Sequence, residues 1–195
     1  LVEATINQSC PHYHHLSLEE RLEVEENKKK NDDYVIFDEY PFFFNGMGII
    51  NGDRNTLFLV NKETLEIKDL IKNTVDVESY DFDGDEIYYA GVDFTDVKGK
   101  WSWVWKVNTK TNETTVLYDD VMQINKMFLL NNKVYVVGTF AKEYGAMEAG
   151  KFYTLENKEM IFALDNEYSM YNSVGSDCRY GRVKNFYKAN GKAYF

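Results

Sequence analysis

VWKVNTKTNETTVLYDDVMQINKMFLLNNKVYVVG, residues Val104 to Gly138, decides the fold. It reads as four strands in a row. Val104–Val107 alternates around Trp105, and Asn108–Asn112 supplies turn residues. Thr114–Tyr118 is β-branched and aromatic, and Asp119-Asp120 breaks it. Val121–Leu130 follows, then Asn131-Asn132, then the run Val134–Val137. Turns built from Asn, Thr, Asp and Lys between Val/Tyr/Trp runs predict consecutive antiparallel hairpins.

Outward from this stretch the pattern repeats. Leu57–Val60, a hairpin and Glu66–Ile71 match Val104–Val107, a hairpin and Thr114–Tyr118. They match again at Phe152–Leu155, Asn157-Lys158 and Met160–Leu164. The spacing is 47 residues from Leu57 to Val104 and 48 from Val104 to Phe152. A second set interleaves, with Tyr80–Tyr89 corresponding to Leu129–Val136 and to Lys188–Phe195. The last interval is about 12 residues longer, and the extra length falls between Asp165 and Tyr187. Four strands in roughly 40–50 residues is the period of a β-propeller blade. The segments alternate with period 2, which excludes helical repeats.

The expected fold class is therefore all-β, a partial β-propeller of about three to four blades of four antiparallel strands. One surface helix lies in an N-terminal insertion. The expected divisions are an insertion over 7–55, a blade at 56–71 that borrows strand 1–6, blades at 75–118 and 121–164, and a partial blade at 177–195. On this reading the chain begins and ends inside blades, and the absent initiator Met suits an excised piece of a larger propeller. Within the insertion, Ser17-Leu18-Glu19-Glu20 is a capping box opening a helix over Glu19–Lys30, with acids early and three lysines late. Leu18 and Leu22 form its one apolar pair at helical spacing, so it is expected on the surface. Tyr34–Phe37 reads as a short strand, and Asp38–Asn55 as a loop.

Composition narrows the function classes. With 195 residues and 44% hydrophobic content, the chain can bury a core without disulfides. A net charge of −10 argues against a nucleic-acid partner. No run approaches the roughly 18 apolar residues of a membrane span, and LVEATINQSC lacks the basic start and apolar run of a secretory signal. Cys10 and Cys178 read as free thiols of a reducing compartment, so a cytoplasmic location is expected.

The candidate sites are few. Cys10, His12 and His14 could share one face of an extended segment and hold zinc, with His15 or water fourth, against the plainer reading of a polar loop leading to the helix. Asp81-Phe82-Asp83-Gly84-Asp85 resembles a fragment of a calcium loop, but Asn131-Asn132 and Asn190-Gly191 at the same repeat positions favour a hairpin turn. No G-x-S-x-G, G-x-G-x-x-G or P-loop occurs, and all three histidines sit in one N-terminal cluster. Gly46-Met47-Gly48 lacks the strand–helix context of a phosphate cradle. The chain is thus expected to carry no catalytic residues, no cofactor and no resident metal. Trp101, Trp103 and Trp105 alternate on one expected strand, a stripe suited to inter-blade packing. In Gly175–Gly181, Asp177 and Arg179 either pair to anchor a loop or line a channel and meet a substrate carboxylate or carbonyl.

Asp38-Glu39-Tyr40-Pro41-Phe42-Phe43-Phe44-Asn45-Gly46-Met47-Gly48, followed by Arg54-Asn55-Thr56-Leu57-Phe58-Leu59, resembles the propeller of the prolyl oligopeptidase family. The nearest branch resembled is that of acylaminoacyl peptidases and related bacterial oligopeptidases. The turn at Phe82–Glu86 and the Ser-Asp-x-Arg-x-Gly run ending at Gly181 are similar to segments of the same branch, although the proline of the family's turn is missing. The resemblance implies a propeller that caps a C-terminal α/β-hydrolase domain and limits access to short peptides. That hydrolase domain is not in this chain, so catalysis would belong to a parent protein. The implied substrate-binding residues are Asp177 and Arg179. The implied partners are the hydrolase domain and short peptides, with no nucleic acid and no membrane, and homo-oligomers could form through exposed blade edges. The alternatives are a stand-alone propeller binding peptides or proteins as a scaffold, and a carbohydrate-active propeller with paired carboxylates.

Overall fold

The computed structural model describes residues 1–142, 145, 148–164 and 186–194. Among these residues the protein is mostly β, built of small antiparallel sheets with one α-helix. In chain order the elements are β1 (Val2–Asn7), a 3-10 turn (Tyr13–His15), α1 (Leu18–Lys30), β2 (Phe43–Phe44), β3 (Gly48–Ile49), β4 (Asp53–Val60) and β5 (Ile67–Asp69). Then come β6 (Val75–Asp83), β7 (Glu86–Asp93), β8 (Trp103–Asn108), β9 (Thr114–Tyr118), β10 (Gln123–Leu130), β11 (Lys133–Thr139), β12 (Lys151–Glu156) and β13 (Glu159–Leu164). The hairpin β14 (Tyr187–Ala189) and β15 (Lys192–Tyr194) ends the series. The chain divides into two compact units, Leu1–Val77 with Val92–Gly99, and Glu78–Gly91 with Lys100–Phe195.

In the first unit, β1 pairs antiparallel with β4, and β4 with β5. Strand 1–6 and segment 56–71 therefore share one three-stranded sheet. Tyr34–Phe37 is not a strand: among the described residues no strand pairs with this segment, and its side chains stand exposed. The expected loop at Asp38–Asn55 instead contains the small hairpin β2–β3 and the start of β4. Helix α1 carries the predicted capping box. The Glu20 N–H donates to Ser17 Oγ at 3.3 Å and the Ser17 N–H to Glu20 Oε2 at 2.7 Å. The helix has no buried residue, as its composition predicted.

One carboxylate of this unit gives it a pH dependence. Burial pushes the Asp93 carboxyl up, but Lys72 Nζ at 2.8 Å, Thr74 Oγ1 at 2.5 Å and the nearby Arg54 charge outweigh that and hold it below the ordinary range. A depressed carboxylate contributes stability above its unfolded pKa, near ~3.9, and loses it as pH falls through the folded value. Asp93→Asn is therefore expected to lower the urea midpoint at pH 7 and to flatten its further fall from about pH 4 downward. Urea titrations at pH 7 and pH 3 read both effects.

The second unit is organised by two meanders of identical order, β6-β7-β8-β9 and β10-β11-β12-β13. Strands β6 and β7 contribute residues to both units. Tight turns join the strands where the sequence places Asn, Asp and Gly; Gly84, Asn131 and Asn132 all take positive φ. Neighbouring residues then point to opposite faces. Met127 and Val136, with Tyr153, face one way and pack on Ala90, Val104 and Tyr118. Phe128, Val137 and Phe152 face the other way and meet Phe186 and Ala193, which flank β14 and lie in β15. The β10–β13 sheet is thus covered with apolar side chains on both faces. Each such side chain fully buried contributes about 1.5–3 kcal/mol. At Gly138 an added Cβ would stand 2.5 Å from the Gln123 carbonyl oxygen, so the close approach of β10 and β11 requires a glycine there.

Polar side chains tie β6 to β10 as well. The buried Ser79 hydroxyl donates to the Met127 carbonyl at 3.2 Å and accepts the Met127 N–H at 3.0 Å. Asp81 Oδ2 accepts the Leu129 N–H at 2.7 Å and pairs with Lys188. These contacts satisfy backbone groups of β10 that its pairing with β11 leaves over. The expected tryptophan strand begins only at Trp103, so Trp101 lies outside it. Trp103 and Trp105 do share a side, 5.8 Å apart, and Trp105 stacks on Tyr89 at 5.2 Å.

Candidate functional site

Among the described residues, the side chains whose metal-binding atoms converge lie in the first unit, around Asp69 at the end of β5. The preceding chain, Cys10-Pro11-His12-Tyr13-His14-His15, closes a 3-10 turn in which the His15 N–H donates to the His12 carbonyl at 2.9 Å. Three residues per turn set positions i and i+3 above one another, so His12 and His15 share an edge. His14 lies beside them, its ring 4.1 Å from that of His15. All three then meet one carboxylate. His14 Nε2 is 2.7 Å from Asp69 Oδ1, His15 Nε2 is 2.9 Å from Oδ2, and His12 Nδ1 is 3.5 Å from Oδ2.

The rest of the unit holds this turn in place. Arg21 of α1 donates to the His14 carbonyl at 2.9 Å, and the cations of Arg21 and Lys28 sit over the Tyr13 ring. The His14 ring packs edge-on against the buried Phe58 of β4 at 4.6 Å. Burial pushes the Asp69 carboxyl up, yet the hydrogen bonds and charge of His14 and His15 prevail and keep it below the usual carboxylate range. A cleft of about 410 Å³ opens beside the turn, lined by Val2, Ile6, Cys10, His14, Phe58 and Val60 among others. Its volume falls in the range of small-ligand clefts.

The structure redraws the candidate metal triad of Cys10, His12 and His14. Among the described residues, the side chains whose ligand atoms converge are His14, His15 and Asp69, and Cys10 is not one of them. Cys10 is a half-buried free thiol in the wall of the cleft. No hydroxyl or thiol joins the His14–Asp69 pair among the described residues, so the pair lacks a nucleophile. Sequence reading missed Asp69 because 55 residues separate it from His14 and only the β1-β4-β5 pairing brings them together.

The other candidates resolve differently. Asp81 and Asp85 turn to separate partners, Leu129 N–H with Lys188 and Lys110 respectively, and do not converge as calcium ligands. Gly46-Met47-Gly48 forms the tip of the β2–β3 hairpin, with both glycines at positive φ. Asp177 and Arg179 lie outside the described residues.

Two further residues of the family-like phrase prove to be partners. Arg54 Nη1 and Nη2 fork onto Glu39 at 2.9 and 2.6 Å, and both side chains are buried. Among the described residues, no helix is long and apolar enough to cross a membrane. In comparison with known proteins, the chain matches no family profile and no curated protein.

Proposed function

We propose that this chain is the non-catalytic, incomplete propeller of an acylaminoacyl-peptidase-like serine peptidase of the cytoplasm. Its blades would admit thin, unstructured peptides to an attached α/β-hydrolase domain and reject folded chains. The observation that carries the reading is the β10–β13 meander, apolar on both faces, with the preceding meander on one and the β14–β15 hairpin on the other. Sheets clad on both faces by their neighbours in sequence are what successive blades require. The Ser79 and Asp81 bonds between β6 and β10 suit first strands of adjacent blades.

The Glu39–Arg54 fork further supports the family, because it joins the two halves of the phrase on which the resemblance rests. The exposed side chains of Tyr40, Phe43, Phe44, Met47 and Ile49 offer an apolar surface to a covering domain. Asp177 and Arg179 would contact the peptide in this reading. The test is the reading frame beyond Phe195. A G-x-S-x-G within about 300 further residues, in a product that cleaves short acylated peptides and spares folded proteins, is the expected result. A frame that closes without that motif overturns it.

A further inference from the structure

We propose that His14, His15 and Asp69, with water in the fourth position, form a binding site for a divalent late transition ion of the Zn²⁺ class. This inference does not depend on the peptidase reading. Imidazole and carboxylate together suit Zn²⁺, Co²⁺ and Ni²⁺ and disfavour Ca²⁺ and Mg²⁺, which take oxygen sets.

The geometry is close to what such an ion needs. Bonds of about 2.0–2.1 Å in a tetrahedron place neighbouring ligand atoms roughly 3.3 Å apart. The Asp69 oxygens lie 2.7 and 2.9 Å from Nε2 of His14 and His15, and the ligand atoms of the three side chains fall within 4.8 Å of one another, so modest side-chain shifts admit an ion. Both close contacts use Nε2, so a bound ion replaces two N–H···O hydrogen bonds with two N–metal bonds. Each neutral ring keeps its one proton, relocated to Nδ1.

The frame is also preorganised. Phe58 fixes the His14 ring, Arg21 fixes the turn through the His14 carbonyl, and β5 fixes Asp69. The site nonetheless meets solvent, since His15 and His12 are 45% and 58% exposed, so an ion can enter without unfolding. Its structural consequence is a staple between the segment before α1 and β5. Stability then rises with ion concentration, because the unfolded chain holds no preformed site.

The experiment is a calorimetric titration of the metal-stripped chain with Zn²⁺, with Co²⁺ absorption as a second probe. One ion per chain, a Co²⁺ spectrum of tetrahedral type and a rise in Tm with Zn²⁺ are expected. Asp69→Asn and His15→Gln should each weaken binding about 10–100-fold, and Cys10→Ser should leave it unchanged. The exposed His15 serves as the variant least able to perturb folding, and far-UV circular dichroism checks each protein. Zn²⁺ binding that is weaker than millimolar, or equally tight in folded His15→Gln, overturns the site and leaves a plain hydrogen-bonded histidine–aspartate latch. Loss of binding in Cys10→Ser overturns it in favour of a thiolate site.

Discussion

Arg54→Met is expected to destabilise the chain by about 3–5 kcal/mol, since removing one partner of a buried ion pair strands the other. Arg54 is 1% exposed and all five of its N–H groups are used. Two fork onto Glu39, and the others reach the carbonyls of Thr74, Asp53 and Phe94, at 3.4, 2.9 and 3.2 Å. The Phe94 ring covers the guanidinium face, 3.5 Å from Cζ. Deleting the cation leaves Glu39 with the Gly52 N–H as its remaining donor in a nearly dry site. The double variant Glu39→Leu/Arg54→Met should recover most of the loss, because no charge then stays buried. Arg54→Lys should recover little, since three ammonium donors cannot both make the fork and serve three carbonyls. Urea unfolding followed by far-UV circular dichroism measures all three. A cost below about 1 kcal/mol for Arg54→Met would show the pair to be ornamental.

The residues that were legible in the sequence are those whose information is local. The turns Asp83-Gly84-Asp85 and Leu130-Asn131-Asn132 lie between alternating runs, so both hairpins were legible, β10 and β11 to within two residues, although β6 and β7 extend four to five residues beyond the segment Tyr80–Tyr89. Ser17 and Glu20 define their helix cap within four residues of chain. Where local signals mislead, tertiary context decides. Tyr34–Phe37 is apolar enough for a strand, but no strand among the described residues pairs with it, and the β2–β3 hairpin is disguised as a glycine-rich loop. The site was least legible of all. Nothing in the spacing of Cys10, His12 and His14 indicates that their turn meets Asp69, or that the 3-10 winding brings His15 to the same carboxylate and leaves Cys10 to the cleft. Likewise Glu39 and Arg54 could be seen as letters of a phrase, while their contact needed β4 to be laid against the loop before it. Long-range partners carry no periodicity of their own.

Met127→Ala should cost about 2–5 kcal/mol, in the upper half of that range, because the cavity it leaves has little means of closing. Met127 is fully buried among Ala90, Val104, Tyr118 and Val136, contributed by four different strands. Its backbone is held at both N–H and C=O by the Ser79 hydroxyl, so β10 is not free to move into the space. Met47→Ala on the exposed β2–β3 hairpin makes the same chemical change and should stay within about 0.5 kcal/mol of the parent. Phe128 tests the two-faced sheet. It adjoins Met127 in the chain but packs on Val137 and Phe152, with the Phe186 ring tilted against it, a set of partners separate from those of Met127. Phe128→Ala should therefore cost about 3–5 kcal/mol by itself. In Met127→Ala/Phe128→Ala the two losses should add to within about 0.5 kcal/mol, as they do for sites without shared partners. Urea midpoints read from the fluorescence of the buried Trp105, in the same unit, give each value. Strong non-additivity would mean that Met127 and Phe128 line one common core, and a sheet clad on both faces would then have to be given up.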